Sequence, residues 1–182
     1  MKVFAFLADG FEEIEAIATV DILRRAEIEV TTVSISNKKE VTGAHGIPVI
    51  ADKLFSETNF SSGDLLFLPG GMPGTKHLDK HEGLRELLLK YNSEGKKIAA
   101  ICAAPIVLAH NGLLDGKDAI CYPGFEEDLS KAKISDKTVV KSGTIITGKG
   151  PGVSMKFALT LIEELKGKAL ANAVSKGLCF EG

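Results

Sequence analysis

Residues 96–105, with the sequence KKIAAICAAP, decide the fold that we predict for this chain. Two lysines precede the small apolar residues 98–101, a pattern typical of a strand buried on both faces of a sheet. Residues 103–110 predict a helix, so Cys102 is expected at the turn between the strand and the helix. The free N–H groups and the positive dipole end of that helix point towards the turn, and we expect them to lower the pKa of the thiol from the usual value of about 8.5. The alternative is that Cys102 is a small buried core residue.

The composition limits the classes of protein to which the chain can belong. Its 182 residues predict one domain, residues 1–182, that folds without disulfide bonds. The three cysteines are widely spaced and form no Cys-x-x-Cys pair, so neither a disulfide framework nor a metal site is expected. A net charge of −2 with mixed signs argues against nucleic acid or a membrane as partner. Asp9 and Glu12 interrupt the N-terminal apolar run before it is long enough for a signal peptide or a membrane span, and we expect a cytoplasmic protein.

Strand and helix patterns alternate along the rest of the chain. Besides the strand before Cys102, strands are predicted at 2–7, 30–35, 64–68 and 144–147, with short strands at 119–121 and 139–141. Helices are predicted at 12–26, 82–91, 103–110, 154–166 and 168–175. Alternation with short connections predicts a mainly parallel sheet with helices on both faces. Residues 41–50 alternate poorly and contain a proline, which predicts edge strands outside the main sheet.

An acidic cluster follows the first predicted strand. The helix dipole is a sufficient explanation for Glu12 and Glu13, which open the first helix. Glu15 lies further along a largely apolar helix, where burial would raise its pKa. A protonated Glu15 would be able to donate a hydrogen bond to a thiolate or to shuttle a proton beside it. Because the carboxyl ends of parallel strands share one crevice, we expect Glu15 and Cys102 to lie close together.

Two adjacent glycines, Gly70 and Gly71, follow the strand predicted at 64–68. Glycine adopts backbone conformations that other residues resist, and it lets main-chain N–H groups approach a ligand closely. An oxyanion hole uses such groups. The alternative is that the pair only forms a tight turn before the next helix.

Four segments together resemble the ThiJ/PfpI superfamily, and within it the DJ-1 branch and its bacterial relatives. They are residues 9–15 (DGFEEIE), 68–71 (LPGG), 99–105 (AAICAAP) and 148–152 (GKGPG). The resemblance spans essentially the whole chain. It implies a flavodoxin-like three-layer sandwich of the class I glutamine amidotransferase type, with a central, mainly parallel sheet, and it implies a homodimer.

The resemblance also implies roles for individual residues. Cys102 matches the nucleophile and Glu15 its carboxyl partner. The backbone N–H groups of Gly71 and Ala103, next to Gly70, match an anion pocket. Further residues are expected to line the pocket, with the last two also near the partner subunit: Tyr122, Cys121, Arg25 and His45. A dimer would also explain why the first helix is apolar almost all round.

Two positions depart from the pattern of the superfamily. Ala103 stands where the protease-like branch has a histidine, so a Cys-His peptidase would lack its base and proteolysis is not expected. Tyr122 stands where the DJ-1 branch commonly has a histidine. A phenol, with a pKa of about 10, cannot act as a base at neutral pH. We therefore expect proton transfer to depend on Glu15.

The resemblance implies a stress-response enzyme that acts on reactive carbonyls, of the glutathione-independent glyoxalase or deglycase type. Its substrate would be a small aldehyde or a glycated molecule, and its chemistry would need no metal or organic cofactor. The alternative is a redox-sensing or chaperone-like protein in which peroxide oxidises Cys102 to a sulfinate. Both hypotheses require the same thiolate and the same carboxyl, so the sequence does not separate them.

Overall fold

The computed structural model describes residues 1–180, and its centre is a seven-stranded sheet. The strands of the structure are β1 (Lys2–Leu7), β2 (Glu29–Ser34), β3 (Glu40–Thr42), β4 (Pro48–Ile50), β5 (Lys53–Leu54), β6 (Leu65–Leu68), β7 (Lys97–Ile101), β8 (Asp118–Ala119), β9 (Lys133–Ile134), β10 (Val139–Ser142) and β11 (Ile145–Gly148). The helices are α1 (Glu13–Arg25), α2 (Gly74–Lys80), α3 (Glu82–Ser93), α4 (Pro105–His110), α5 (Ser154–Lys166) and α6 (Lys168–Gly177).

The main sheet has the strand order β10-β11-β7-β6-β1-β2-β5. All neighbouring pairs in it are parallel except β10 with β11. Strands β1, β6, β7 and β11 are buried along nearly their whole length, as their continuous apolar runs predict. The prediction of a mainly parallel sheet is confirmed.

The helices form two packed groups. Helix α5 contacts α1 and α6, whereas α2 contacts α3 and α4. The chain crosses the sheet in one direction from β1 to β2 and in the opposite direction from β6 to β7. Right-handed crossovers therefore place α1 and α3 on opposite faces of the sheet. The result is the flavodoxin-like three-layer sandwich that we predicted.

The direction of winding reverses at β1, which lies between β2 and β6. Open α/β sheets bind ligands at such a switch point, beside the carboxyl ends of the strands. Here the loops after β1, β6 and β7 lead to Glu15, to Gly70 and Gly71, and to Cys102. The topology thus brings the three sequence features to one edge of the sheet.

Most predicted elements agree with the structure to within about two residues, the usual uncertainty of element ends. Strands β3 and β4 form a separate antiparallel pair, which confirms the excursion predicted for residues 41–50. Helix α2 was not predicted, because Leu78 is its one large apolar residue. In the described part of the chain, no helix combines the length and the hydropathy needed to cross a bilayer.

Candidate active site

Cys102 lies on a sharp turn directly after β7, as the sequence predicted. Its φ angle is 64°, in the left-handed region, where a non-glycine residue costs about 1–3 kcal/mol. Two neighbouring segments hold the strained residue. Its N–H donates a 2.9 Å hydrogen bond to the Gly148 carbonyl, and its own carbonyl accepts a 2.8 Å bond from the Tyr122 N–H. The direction of the side chain is therefore fixed by strands and loops, not by α4 alone.

The Cys102 side chain is nearly enclosed, with 8% of its surface exposed. The backbone N–H groups of Ala103 and Gly71 act on its sulfur in the direction that lowers its pKa. These are the two groups that the superfamily resemblance assigned to an anion pocket. Two such groups can stabilise a negative charge on the sulfur. They can equally stabilise the oxyanion that forms when the sulfur attacks a carbonyl carbon.

Gly70 and Gly71 are required by close packing around the sulfur. Gly71 has a φ angle of 90°, which favours glycine. A Cβ atom on Gly70 would lie 2.6 Å from the Cβ of Cys102 and 2.8 Å from Oε2 of Glu15. The pair is therefore more than a tight turn, because a side chain on Gly70 would collide with both the Glu15 carboxyl and the Cys102 side chain.

Glu15 is completely buried, as predicted. It occupies the same inward stripe of α1 as Thr19, Ile22 and Leu23, at the i, i+4, i+7 and i+8 positions that face the core. Its Oε2 accepts a 2.8 Å hydrogen bond from the Gly70 N–H, and its Oε1 has no partner among residues 1–180 that meets hydrogen-bond geometry. Burial raises the pKa of the carboxyl to about 7, and the charge of Glu12 adds to the rise.

The expectation that the following helix lowers the pKa of the Cys102 thiol is wrong. Burial raises this pKa, the charge of an ionised Glu15 raises it further, and the hydrogen bonds from Ala103 and Gly71 do not compensate. The structural reason is that α4 begins only at Pro105 and has six residues, so its dipole is small. The thiol therefore does not lose its proton to solvent while Glu15 is charged.

Glu15 and Cys102 are instead a coupled pair, and their titration belongs to both groups together. Glu15 raises the pKa of the Cys102 thiol through its charge and a hydrogen bond, and the same hydrogen bond lowers the pKa of the Glu15 carboxyl. Once the pair has lost one proton, its single negative charge can reside on the carboxyl or on the sulfur. Two backbone N–H groups lower the pKa of the thiol and the sulfur has some exposure, whereas the carboxyl accepts one hydrogen bond and has no exposed surface. These surroundings can stabilise the charge on sulfur while the remaining proton stays on Glu15.

A cavity of about 430 Å³ opens above the sulfur. Residues from all three loops and from two further segments line it: Glu12, Ile14, His45, Gly71, Met72, Cys102, Ala103, Tyr122, Phe125 and Pro151. This volume is within the range of small-molecule sites. Tyr122 and His45 line the cavity, in the places where the resemblance put them.

Two of the expected pocket residues do not line the cavity. Arg25 lies at the opposite end of α1, about 18 Å along the helix axis from Glu13 at a rise of about 1.5 Å per residue. It pairs there with Asp21 at 2.8 Å and lines a groove against α6. Cys121 is buried with 1% of its surface exposed, and burial together with the charges of Glu126 and Asp128 raises its pKa to about 11. Both expectations are wrong.

Glu13 has a role that the sequence did not indicate. Its Oε1 accepts a 2.7 Å hydrogen bond from the His45 N–H, and its Oε2 lies 2.9 Å from His45 Nδ1. Burial opposes ionisation of Glu13, yet hydrogen bonds from His45 and Ile47 outweigh it and hold its pKa below the ordinary value. The hydrogen bond to Glu13 and the charges of Glu12 and Glu13 raise the pKa of His45. Glu13 thus fixes the 43–47 loop at the edge of the cavity.

The same three side chains have potential metal ligands within 4.8 Å of one another: Glu12, Glu13 and His45. The Glu13 oxygens already accept bonds from the loop backbone and His45. Their spacing is therefore accounted for by the loop contact. The sequence did indicate that Glu13, at the start of a helix, could accept hydrogen bonds. It did not indicate the partner, because His45 lies 32 residues away.

Comparison with known proteins gives one consistent family. The model of the DJ-1/PfpI family matches residues 1–164. "Protein DJ-1 homolog B" of Arabidopsis thaliana is 41% identical over 176 residues, which are 96% of this chain but 40% of the relative, so the chain spans less than half of that protein. "Glutathione-independent glyoxalase DJR-1.2" of Caenorhabditis elegans is 34% identical over 171 residues, covering 93% of this chain and 90% of the relative. The structure of oxidized Toxoplasma gondii DJ-1 has a TM-score of 0.94 and 37% identity, covering 100% of this chain and 99% of the other.

Proposed function

Because the chain belongs to the DJ-1/PfpI family, we propose that it is a cysteine-dependent enzyme acting on small reactive carbonyl compounds, of the glutathione-independent glyoxalase or deglycase type. The observation that carries the proposal is the buried Glu15 carboxyl beside the Cys102 thiol, with two N–H groups directed at the sulfur. A relative that matches nearly the whole chain bears the name of such a glyoxalase. The substrate class of this chain and a role in stress response are both parts of this proposal.

The first step would be addition of sulfur to the substrate. The Cys102 sulfur attacks the aldehyde carbon of a 2-oxoaldehyde, and the thiol proton is already held by Glu15. Negative charge then passes from sulfur to the aldehyde oxygen, two bonds away through the carbon. The N–H groups of Gly71 and Ala103, which stabilise the sulfur, are placed to stabilise this oxygen.

The second step would be a proton transfer within the bound substrate. Glu15 first gives the proton that it holds to the hemithioacetal oxyanion and so becomes a carboxylate. This carboxylate then takes the proton from the hemithioacetal carbon and returns it to the neighbouring carbonyl carbon through an enediol, while a proton passes between the two oxygens. The product is a thioester of Cys102, which water hydrolyses to a 2-hydroxy acid. The overall reaction adds one water to a 2-oxoaldehyde, so no oxidant, metal or organic cofactor is needed.

The surroundings of the site support Glu15 as the proton carrier. Tyr122 stands in the cavity wall at the position where a histidine was expected from the family, and Ala103 follows the cysteine. The Nδ1 atom of His45, the histidine that does line the cavity, lies 2.9 Å from Oε2 of Glu13, so this nitrogen is already engaged by a carboxylate. Peptidase chemistry therefore stays an unfavourable hypothesis, because the required Cys-His pair is not formed.

The test is steady-state turnover of methylglyoxal without glutathione, with D- and L-lactate as products. We expect kcat/KM of about 10⁴ M⁻¹s⁻¹ or more, and no turnover in the Cys102→Ser variant. Equal turnover in the variant and in the unaltered protein would contradict the mechanism. A rate orders of magnitude lower would favour the second function below.

The second candidate is redox sensing, with or without a chaperone-like function. A solved relative of 37% identity is an oxidized DJ-1, which makes oxidation relevant to this fold. Here a proton on Glu15 would bond to a sulfinate on Cys102, and the Gly71 and Ala103 N–H groups would bind its oxygens. Mass spectrometry after mild peroxide treatment tests this: Cys102 must be oxidised before Cys121 and Cys179.

We further propose a homodimer in the cytoplasm. Ile14 and Ile17 are 58% and 44% exposed on α1, although the opposite side of this helix is buried. A second copy of the chain covering this face would remove both from water. The three free cysteines fit a reducing compartment.

A further inference from the structure

A second groove, of about 280 Å³, adjoins the cavity above Cys102. One wall is formed by Tyr122 and Pro123, and the other by the turn at residues 149–153. Tyr122 and Pro151 line both spaces, so the groove continues the cavity on the other side of the tyrosine ring. A substrate whose reactive carbon lies at the sulfur can extend into this groove.

Both walls of the groove are held by the backbone of Cys102. The Tyr122 N–H donates to the Cys102 carbonyl at 2.8 Å, and the Cys102 N–H donates to the carbonyl of Gly148, the residue before Lys149. The Tyr122 ring also lies against Gly150, where an added Cβ would be 3.0 Å from its Cδ2. The groove therefore has a fixed position relative to the sulfur.

Lys149 is the charged residue among those that line this otherwise mainly apolar groove. It forms no ion pair with any carboxylate of residues 1–180, whereas Lys141, near it in the chain, pairs with Glu164 at 2.6 Å. The cavity above Cys102 is lined by Glu12 and His45, which lie 3.6 Å apart, whereas Lys149 lines the groove. The acidic residue and the lysine of the combined cleft thus belong to different spaces.

We propose that this groove binds the remote end of the substrate, and that Lys149 recognises a carboxylate there. The inference rests on the proposed function, since it deepens the substrate class to 2-oxoaldehydes with a carboxylate tail. One lysine on an apolar groove suits a group of single charge, whereas a phosphate dianion is usually bound by several donors. Tyr122, at the junction of the two spaces, limits the shape of the part that passes between them.

The first experiment compares two 2-oxoaldehydes of equal chain length, 4,5-dioxopentanoate and the neutral 2-oxopentanal. We measure the ratio of their kcat/KM values in the unaltered protein and in the Lys149→Gln, Lys149→Arg and Lys156→Gln variants. In Lys149→Gln we expect the ratio of kcat/KM for 4,5-dioxopentanoate to kcat/KM for 2-oxopentanal to fall about tenfold, because KM for the carboxylate rises when one charge-assisted hydrogen bond is lost. Lys149→Arg is expected to restore the ratio. Lys156, exposed on α5, serves as the matched control and leaves the ratio unchanged. A ratio that is the same in Lys149→Gln and in the unaltered protein overturns the proposal.

A second experiment tests the groove without any carbonyl turnover. Alkylation of Cys102 by 3-maleimidopropionate and by N-ethylmaleimide is followed by peptide mass spectrometry in the Cys179→Ser background. The rate preference for the carboxylated reagent falls several-fold in Lys149→Gln and also falls as salt is added. An identical preference in both proteins overturns the groove proposal. If neither oxoaldehyde is turned over but this preference is present, the proposed function fails while the carboxylate site stands.

Discussion

The Glu15 carboxyl and the Cys102 side chain meet beside Gly70, where an added Cβ would lie 2.8 Å from one and 2.6 Å from the other, and each changes the pKa of the other. Glu15 has no exposed surface, while the sulfur reaches the cavity. A proton can therefore pass between them without meeting solvent. This relationship determines the first three predictions.

Replacement of Glu15 by glutamine is expected to raise the pH at which the Cys102 thiolate forms. The glutamine amide donates a weaker hydrogen bond to sulfur than a protonated carboxyl does. Thiolate absorbance near 240 nm measures the titration, with Cys102→Ser subtracted to remove the other two cysteines. If the unaltered protein shows no Cys102 thiolate at pH 8, the charge of the pair resides on Glu15 and our assignment is wrong.

The activity towards methylglyoxal is expected to rise with pH through about 7. The pKa of Glu15 is raised to about 7, so below this pH both members of the pair carry their protons and the sulfur is a poor nucleophile. A profile of kcat/KM from pH 5 to 9 measures this ionisation in the free enzyme. Glu15→Gln is expected to lose at least about 100-fold in kcat, a typical contribution of a general acid or base. Retention of the full rate in this variant would exclude Glu15 as the proton carrier.

The buried carboxyl also makes stability depend on pH. Its pKa is 4.5 in the unfolded reference and about 7 in the fold, so the folded protein binds more protons between these values. The free energy of unfolding therefore falls as pH rises from 4.5 to 7. Glu15→Gln is expected to be more stable than the unaltered protein at pH 8, by up to about 3 kcal/mol, and to differ little at pH 4.5. Urea unfolding at the two pH values measures this, with Glu163→Gln, a change of an exposed glutamate on α5, as the control, and equal stabilities at pH 8 would contradict it.

Gly70→Ala is expected to disturb the site and the fold together. The added methyl would lie 2.6 Å from the Cys102 Cβ, so the sulfur or Glu15 must move. Such overpacking costs about 1–3 kcal/mol, and we expect a loss of methylglyoxal turnover larger than this destabilisation explains. Thermal unfolding and kinetics on the same sample separate the two effects. Gly177→Ala, where an added Cβ meets nothing within 4 Å, is the matched control, and normal kinetics in Gly70→Ala would show that the close contact is not needed.

Ile17→Glu is expected to convert a dimer into monomers. Ile17 lies on the exposed face of α1, and a charge buried against a second copy would be unpaired there. Sedimentation measures the mass in solution. Leu89→Glu, with a similar exposure of 41% on α3, is the control and should leave the mass unchanged. A monomeric unaltered protein would contradict the dimer proposal itself.

The parts of the site that the sequence predicted are those determined by short-range pattern. The largely apolar helix around Glu15 predicted that this residue is buried, and the apolar run before Cys102 predicted the turn at the end of β7. Both were confirmed, as was the superfamily resemblance. Two adjacent glycines after a buried strand predicted either close backbone approach or a tight turn, and only the structure separated these two.

The parts that were missed depend on distance and on the environment. Arg25 and the cavity belong to opposite ends of α1, and the expectation for Arg25 came from the resemblance, not from its position at the far end of the helix that follows β1. Cys121 and Tyr122 are adjacent, yet one points into the core and the other into the cavity. The pKa of Cys102 depends on its burial and on Glu15, 87 positions earlier, and no local pattern reports either. The contact of Glu13 with His45 is equally remote in sequence.

The hydrogen bond from the Cys102 N–H to the Gly148 carbonyl has a consequence for synthesis of the protein. A chain emerging from the ribosome contains residue 102 well before residue 148, and until β11 pairs with β7 nothing on that side holds the cysteine in its strained turn. Its thiol is then an ordinary, mobile one. The chemistry proposed for this site thus becomes available only at the end of folding, so a nascent or partly unfolded chain does not carry it.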